Sequence, residues 1–524
     1  MTQDLPLPMR HPVSMRQPLR QISRISRRAF VSAALLPLAA GGCAPALRVG
    51  RPHLSAIPEF DASTLVNDVH SQMNATRMAE IVKPVTTEAL QAAVRRAADS
   101  GRAVAIAGGR HAMGGQQFAE GALLVDSRGL NRVLEFDGEA GVITVEGGTQ
   151  WPGLLAHLER AQVGRERQWG IYQKQTGADR LSIGGALSCN AHGRGLALKP
   201  IIDQVVSFDL LGPDGTLRRC SRTENVALFR LAIGGYGLFG FITRVQLKLR
   251  PRVKVRRVVE LADTSTIIDK LTERIRDGYL YGDYQFATDS TRDSFLRRGV
   301  FSCYQPVAAD TTLTPNPTRF NPEDWARLTY YSHRFKQRAF QVFSTRYLAT
   351  SGQVYWADWQ LSAAYVDNYH ADLDRASGNR VKATEMITEL YVPRPRLAAF
   401  MEDARVALIA AKANLVYGTV RLIEKDDESF LAWAREPWAC VIFNLHVEHR
   451  PESLASAADA FRALIDGAIA HNGSYYLTYH RWARRDQVEQ CYPQMREFLA
   501  LKRQHDPEER FQSTWYRHYK AMMR

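Results

Sequence analysis

Two glycine-rich segments, each enclosing a histidine, hold the residues best suited by type and spacing to do chemistry. The first is Gly108-Gly109-Arg110-His111-Ala112-Met113-Gly114-Gly115. The second opens with Ile183-Gly184-Gly185-Ala186 and continues through Ser188-Cys189-Asn190-Ala191-His192-Gly193-Arg194-Gly195. Glycines allow successive backbone N–H groups to turn inward as a nest for an anion. A diphosphate can rest against such a loop without a lysine to neutralise it. A third run, Gly235-Tyr236-Gly237-Leu238-Phe239-Gly240, matches the spacing of a dinucleotide-binding fingerprint. That fingerprint needs a strand before it and a helix after it. Here the preceding stretch has helical spacing and the following one alternates like a strand, so the run reads as a turn.

The surrounding periodicity supplies the elements that must hold these loops. Residues 84–100 repeat apolar positions at helical spacing, and Arg102–Ala107 is a short strand running straight into the first glycine cluster. Leu123–Asp126 and Val142–Glu146 read as further strands, and Trp151–Gln162 as a helix. Val205–Leu211 and Thr216–Ser221 form a hairpin about Pro213-Asp214-Gly215. Asn225–Ile233 is helical and Phe241–Leu249 alternates as a strand. Past Pro251 the texture changes, with aromatic-rich loops over 304–330. Strands are expected at Met386–Val392, Val416–Leu422 and Cys440–Val447, and a helix through Leu454–Ala470. The division falls near residue 252.

The chain has 524 residues, 45% of them hydrophobic and 23% charged, with a net charge of +14. That excludes a disordered tail, a disulfide-stapled miniature and a collagen-like repeat. The positive charge is unevenly placed: residues 1–43 hold six arginines against the single acid Asp4. Ser26-Arg27-Arg28-Ala29-Phe30-Val31 resembles a twin-arginine export signal, followed by the apolar run Val31–Ala40, too short to cross a bilayer. Ala40-Gly41-Gly42-Cys43 also resembles a lipobox, which would make Cys43 a lipid anchor. Beyond it, Cys189, Cys220, Cys303, Cys440 and Cys491 are scattered, without metal-ligand spacing, and read as buried free thiols. No basic, aromatic-interleaved module for nucleic acid is present.

The glycine clusters in sequence resemble the FAD-binding domain of the vanillyl-alcohol oxidase, or PCMH-type, flavoprotein superfamily. Gly109–Gln116 is similar to its pyrophosphate loop, especially that of cytokinin dehydrogenases. Leu181–Ala186, Asn190–Gly193 and Gly234–Thr243 follow in the family's order. The C-terminal stretch Tyr475–Tyr479 and Tyr492–Trp515 is similar to decaprenylphosphoryl-ribose oxidases and to aldonolactone and alditol oxidases. The resemblance implies an α+β fold in two domains: a PCMH-type FAD-binding domain over 70–252 and a mixed α/β substrate domain over 253–480 covering the flavin. Residues 481–524 would return to the FAD domain.

It further implies cofactor contacts from Gly108, Gly109, Arg110, His111, Ala112, Met113, Gly114, Gln116, Gly177, Ser182, Gly184, Gly185, Asn190, His192, Gly193 and Ile242. In many members the histidine at the position of His111 bonds covalently to the flavin. Gln173–Ser182 contains no cysteine for a second link. Candidate catalytic residues are Glu389, Arg421, Tyr479 and His480. Thr419 and Tyr479 stand where relatives carry a Glu and a Lys. An alcohol-oxidising site needs a proton acceptor and a donor that steadies the developing oxyanion. Tyr479 or His480 is expected in the first role, Arg421 in the second, with Glu389 orienting a substrate hydroxyl. Glu389 and Arg421 can equally form a plain ion pair across strands. His446 reads as a core histidine.

The resulting expectation is an exported FAD-dependent oxidoreductase acting on a sugar-like, polyol or lactone alcohol in the periplasm. Electrons would pass to O2, or to a quinone or cytochrome. A non-catalytic envelope lipoprotein that retains the fold is the alternative from another class. No metal is expected, and membrane contact only through Cys43.

Overall fold

The computed structural model describes residues 64–361 and 369–524. The export signal and Cys43 lie outside the described residues. Among these residues no helix is long and apolar enough to cross a membrane.

The helix Thr87–Asp99 begins where the Thr86 side chain accepts a hydrogen bond from the Ala89 N–H. It buries Leu90, Ala93, Val94 and Ala97, one face of the helical period. That face shares a core with a parallel sheet whose order is Glu80–Val82, Leu123–Asp126, Val104–Ala107. The chain's end comes back to this sheet. The Val104 N–H donates to Arg510 O at 2.7 Å, and the Gln512 N–H donates to Val104 O at 2.9 Å.

A five-stranded antiparallel sheet follows, ordered Leu217–Ser221, Val205–Leu211, Phe241–Lys248, Val142–Glu146, Val133–Asp137. The helices Trp151–Ala161 and Val226–Ala232 bury Trp151, Leu154, Leu158 and Phe229 in its core.

The remaining strands build an eight-stranded antiparallel sheet. Its order is Val354–Trp356, Lys254–Asp263, Arg298–Pro306, Tyr281–Phe286, Leu415–Ile423, Trp438–Glu448, Ala383–Pro393, Ser474–Tyr475. The helices Leu397–Ala410 and Pro451–Ala470 pack against the end of the sheet formed by Trp438–Glu448, Ala383–Pro393 and Ser474–Tyr475. Side chains alternate across a strand with period two. On Ala383–Pro393, Met386 and Leu390 therefore join the core, while Glu385, Ile387 and Glu389 face a cavity. The α+β class expected from the sequence agrees with this mix of helix and sheet.

The expected strands and helices sit within a few residues of their observed ends, with one correction. The stretch 304–330 is not a run of loops. The strand continues to Pro306, and Pro322–Arg334 is a helix, followed at once by the helix Lys336–Leu348. Asn321 and Asp324 form a reciprocal capping box about Pro322, which starts the first helix despite its many aromatic residues.

Candidate active site

A cavity of about 610 Å³ is bordered by both glycine-rich segments, the sheet strands and the new helical pair. The strand Val104–Ala107 delivers Gly108 and Gly109 to its wall. No larger residue fits at either position. A Cβ on Gly108 would lie 2.0 Å from Ser182 Oγ, and one on Gly109 2.2 Å from the Arg180 carbonyl oxygen. Ser182 caps the helix Ile183–Ser188 by accepting from the Gly185 N–H, and the Gly184 N–H donates to Gly147 O at 2.7 Å. Gly108 and Gly109 thus lie against the residues that lead into the second glycine turn, and that turn is tied to Gly147.

His111 is buried, with Nδ1 2.8 Å from His70 Nε2. Burial, reinforced by His70, Arg180 and Lys174, pushes its pKa well down. Burial likewise lowers the Arg110 guanidinium to about 10, although Asp126 stands 3.6 Å away.

On the facing wall Glu389 is 1% exposed. Its Oε1 receives Tyr391 OH at 2.7 Å and lies 2.6 Å from His192 Nε2; Oε2 accepts from Tyr479 OH at 3.3 Å. Burial works to raise the Glu389 pKa, but His192 and Tyr391 more than offset it, and the carboxyl ends below its usual range. Tyr479 responds in the opposite sense: burial, then the Glu389 charge, pushes the phenol well up. Arg421 Nη2 donates to Thr176 Oγ1 at 2.5 Å, and no hydrogen bond reaches its buried Nε among the described residues. Glu389 and Arg421 thus form no ion pair with each other; Glu389 is bound to His192 instead.

Thirteen of the expected cofactor residues border the cavity: Gly108, Gly109, Arg110, His111, Ala112, Met113, Gln116, Gly177, Ser182, Gly184, Gly185, His192 and Ile242. Gly114, Asn190 and Gly193 do not. The Gly114 N–H donates to Thr478 O at 3.2 Å. Asn190 Nδ2 donates to Asp426 at 2.8 Å and its Oδ1 accepts from the Ile202 N–H at 3.2 Å, so it clamps the turn from behind. The Gly193 N–H donates to Gln173 Oε1 at 3.0 Å.

Of the expected catalytic residues, Glu389, Arg421 and Tyr479 border the cavity and His480 does not. His480 Nε2 sits 3.0 Å from Thr388 Oγ1, and its Nδ1 accepts from the Trp482 N–H at 3.3 Å. With both nitrogens engaged behind the strand, it cannot take a substrate proton. His446 is also corrected: its Nδ1 lies 3.4 Å from Glu385 Oε1, so it belongs to a polar cluster and not to the apolar core.

Sequence reasoning missed Glu385, His333, Phe340 and Phe343, all on the cavity wall. Glu385 was within reach: extending the Met386–Val392 strand by period-two alternation puts it on the face of Glu389. The Gly235–Gly240 run is a turn, as read, yet Tyr236, Gly237 and Gly240 border the cavity. The five cysteines of the described residues are free, four of them buried.

Comparison with known proteins adds a family. A sequence family described as an FAD binding domain matches residues 78–221. The chain is 27% identical over 193 residues to L-gulono-1,4-lactone dehydrogenase of Mycobacterium tuberculosis (strain ATCC 25618 / H37Rv), covering 37% of this chain and 42% of that protein. It is 32% identical over 250 residues to cytokinin dehydrogenase 3 of Oryza sativa subsp. japonica, covering 46% and 45%. It is 24% identical over 195 residues to L-gulonolactone oxidase of Bos taurus, covering 37% and 42%. The matched stretches span less than half the length of these relatives.

The domain and these relatives fit the PCMH-type FAD-binding flavoprotein superfamily. The cavity suits the cofactor. At Gly108, Gly109 and Gly147 its wall admits no Cβ, and among the described residues the buried amide atoms of Gln175, with Oε1 of Gln116 and of Gln117, are unpartnered on residues that line it.

Proposed function

We propose that this chain is an exported FAD-dependent oxidoreductase that oxidises an alcohol carbon of a sugar-like, polyol or lactone substrate, with the flavin bonded to His111. The observation that carries this reading is a single cavity joining the glycine trough of His111 to Glu389, Arg421 and Tyr479. Bound FAD would supply the two-electron acceptor, taking hydride from the alcohol carbon at N5.

The residues divide the rest of the work. His111, held neutral by burial, keeps a nitrogen lone pair for the bond to the flavin. Glu389 is the ionised group of the site, so it takes over the proton-accepting role first expected of Tyr479 or His480. His192 and Tyr391 fix its orientation. Tyr479, kept protonated by burial and by that carboxylate, donates and does not accept. Arg421 presents its unpartnered Nε as the donor for the developing oxyanion. Gulonolactone relatives support a lactone or polyol, and electrons pass on to O2 or to a quinone or cytochrome.

Purified protein is expected to be yellow, and the colour should stay with acid-precipitated chain but not with that of His111→Ala. Anaerobic mixing with aldonolactones, polyols and sugars should bleach the flavin. A colourless protein, or a flavin that none of these classes bleaches, overturns the reading.

A further inference from the structure

The cavity wall carries a second buried carboxylate, Glu385, two positions along the strand from Ile387 and 5% exposed. Three imidazoles from three different elements converge on it. His446 lies directly opposite on the neighbouring strand, in register with Glu385, and brings Nδ1 to 3.4 Å from Oε1. His333, from the helix Pro322–Arg334, brings Nε2 to 2.8 Å from the same oxygen. His370, at the start of the helix His370–Ser377, has Nδ1 2.9 Å from Oε2 without hydrogen-bond alignment. It is 3% exposed, and no hydrogen bond reaches its Nε2 among the described residues.

The ring of His333 is pinned from both sides. Its Nδ1 lies 2.7 Å from the Thr329 carbonyl oxygen, which can only accept, so Nδ1 carries a hydrogen. Nε2 then faces a carboxylate oxygen, and two lone pairs at such a distance require a proton or a metal cation between them. Two imidazoles and one carboxylate are the donor set of open divalent-metal sites, and a backbone carbonyl on the far nitrogen is the usual outer support of a ligating histidine. Donor atoms in a tetrahedral zinc site stand roughly 3.3 Å apart for bonds of about 2.0–2.1 Å. The nitrogen and oxygen donors of His333, Glu385 and His446 all lie within 4.8 Å of one another. The neighbouring trio of His192, Glu389 and Cys440 has the same kind of donors. Both oxygens of its carboxylate, however, accept from phenols, Oε1 from Tyr391 and Oε2 from Tyr479, whereas Glu385 accepts a phenol, Tyr369 OH, on Oε2 and leaves Oε1 to His333 and His446.

We propose that His333 Nε2, His446 Nδ1 and Glu385 bind a divalent transition-metal ion of the zinc class, with His370 steadying the second carboxylate oxygen. The ion replaces the proton between His333 and Glu385. His333 and Glu385 border the cavity, so the open coordination position faces the space where a substrate oxygen or a water would lie. Nitrogen-rich ligation selects zinc, cobalt or iron(II) over magnesium or calcium. The site makes no use of the flavin and stands or falls separately from the oxidoreductase reading.

The test uses the full chain, stripped with a chelator, dialysed, reloaded with zinc sulfate and desalted. Elemental analysis should count about one zinc per chain, and X-ray absorption should report two imidazoles in a nitrogen–oxygen shell. His333→Asn keeps a hydrogen-bonding side chain beside Glu385, and His446→Asn does the same from the strand. Each should weaken zinc binding by about tenfold or more while circular dichroism is unchanged. Wild-type zinc no higher than in the double variant H333N/H446N, or a full zinc count retained in both single variants, overturns the proposal. A variant that fails to fold leaves the X-ray absorption of the wild type to decide, and a shell without two imidazoles overturns it.

Discussion

Glu389 is the residue on which the chemistry of the site turns, because it is buried and yet held ionised. Its carboxylate is held by His192 Nε2 at 2.6 Å and by Tyr391 OH at 2.7 Å. Glu389→Gln keeps the volume and removes both the charge and the proton-accepting oxygen. The rate of substrate-driven flavin bleaching is expected to fall by about 10²-fold or more, the ordinary contribution of a positioned base. Flavin content should not change, since Glu389 is not part of the glycine trough. Stopped-flow bleaching beside a flavin count tests this, and an unchanged rate removes Glu389 from the mechanism. Its chemistry was half legible in the sequence. A lone Glu on a strand announced itself as polar and inward, but its partner His192 stands 197 residues earlier, a pairing no local pattern encodes.

The elements that hold the trough work by close approach. Gly109 lies against the Arg180 carbonyl, so Gly109→Ala must move backbone, not a flexible side chain. The variant is expected to fold with normal circular dichroism and to carry at least about tenfold less flavin; full flavin loading would show that the trough is not where the cofactor sits. Strands and helices around this loop were readable because each repeats its own period, as in Thr87–Asp99 and Phe241–Lys248. The helix Pro322–Arg334 was not, because Trp325, Tyr330 and Tyr331 mask the helical stripe; its signal was the cap, Asn321 with Asp324. The missed helix is the one that supplies His333 and much of the apolar roof of the cavity.

Across the whole molecule, buried neutral histidines tie stability to pH. Burial lowers His480 to about 3 and His70 to about 4, both from an ordinary 6.5. The unfolded chain therefore binds more protons than the folded one between those values, and stability falls as pH drops through that window. Thermal melting between pH 7 and pH 4.5 should show the midpoint declining. In His480→Gln the decline should be shallower; an unchanged slope would show that His480 is not the group titrating. The sequence by itself determined the chain's local periods, the glycine positions that only a close backbone contact explains, and hence the flavoprotein resemblance. These are properties of neighbouring residues, where strand alternation and turn geometry act over a few bonds. Only the tertiary structure decided that Glu389 meets His192, that Arg421 faces Thr176, that His480 and Asn190 stand behind the wall, and that three imidazoles surround Glu385. Those pairings join residues far apart in the chain, and their energies exist only once packing has removed the water between them.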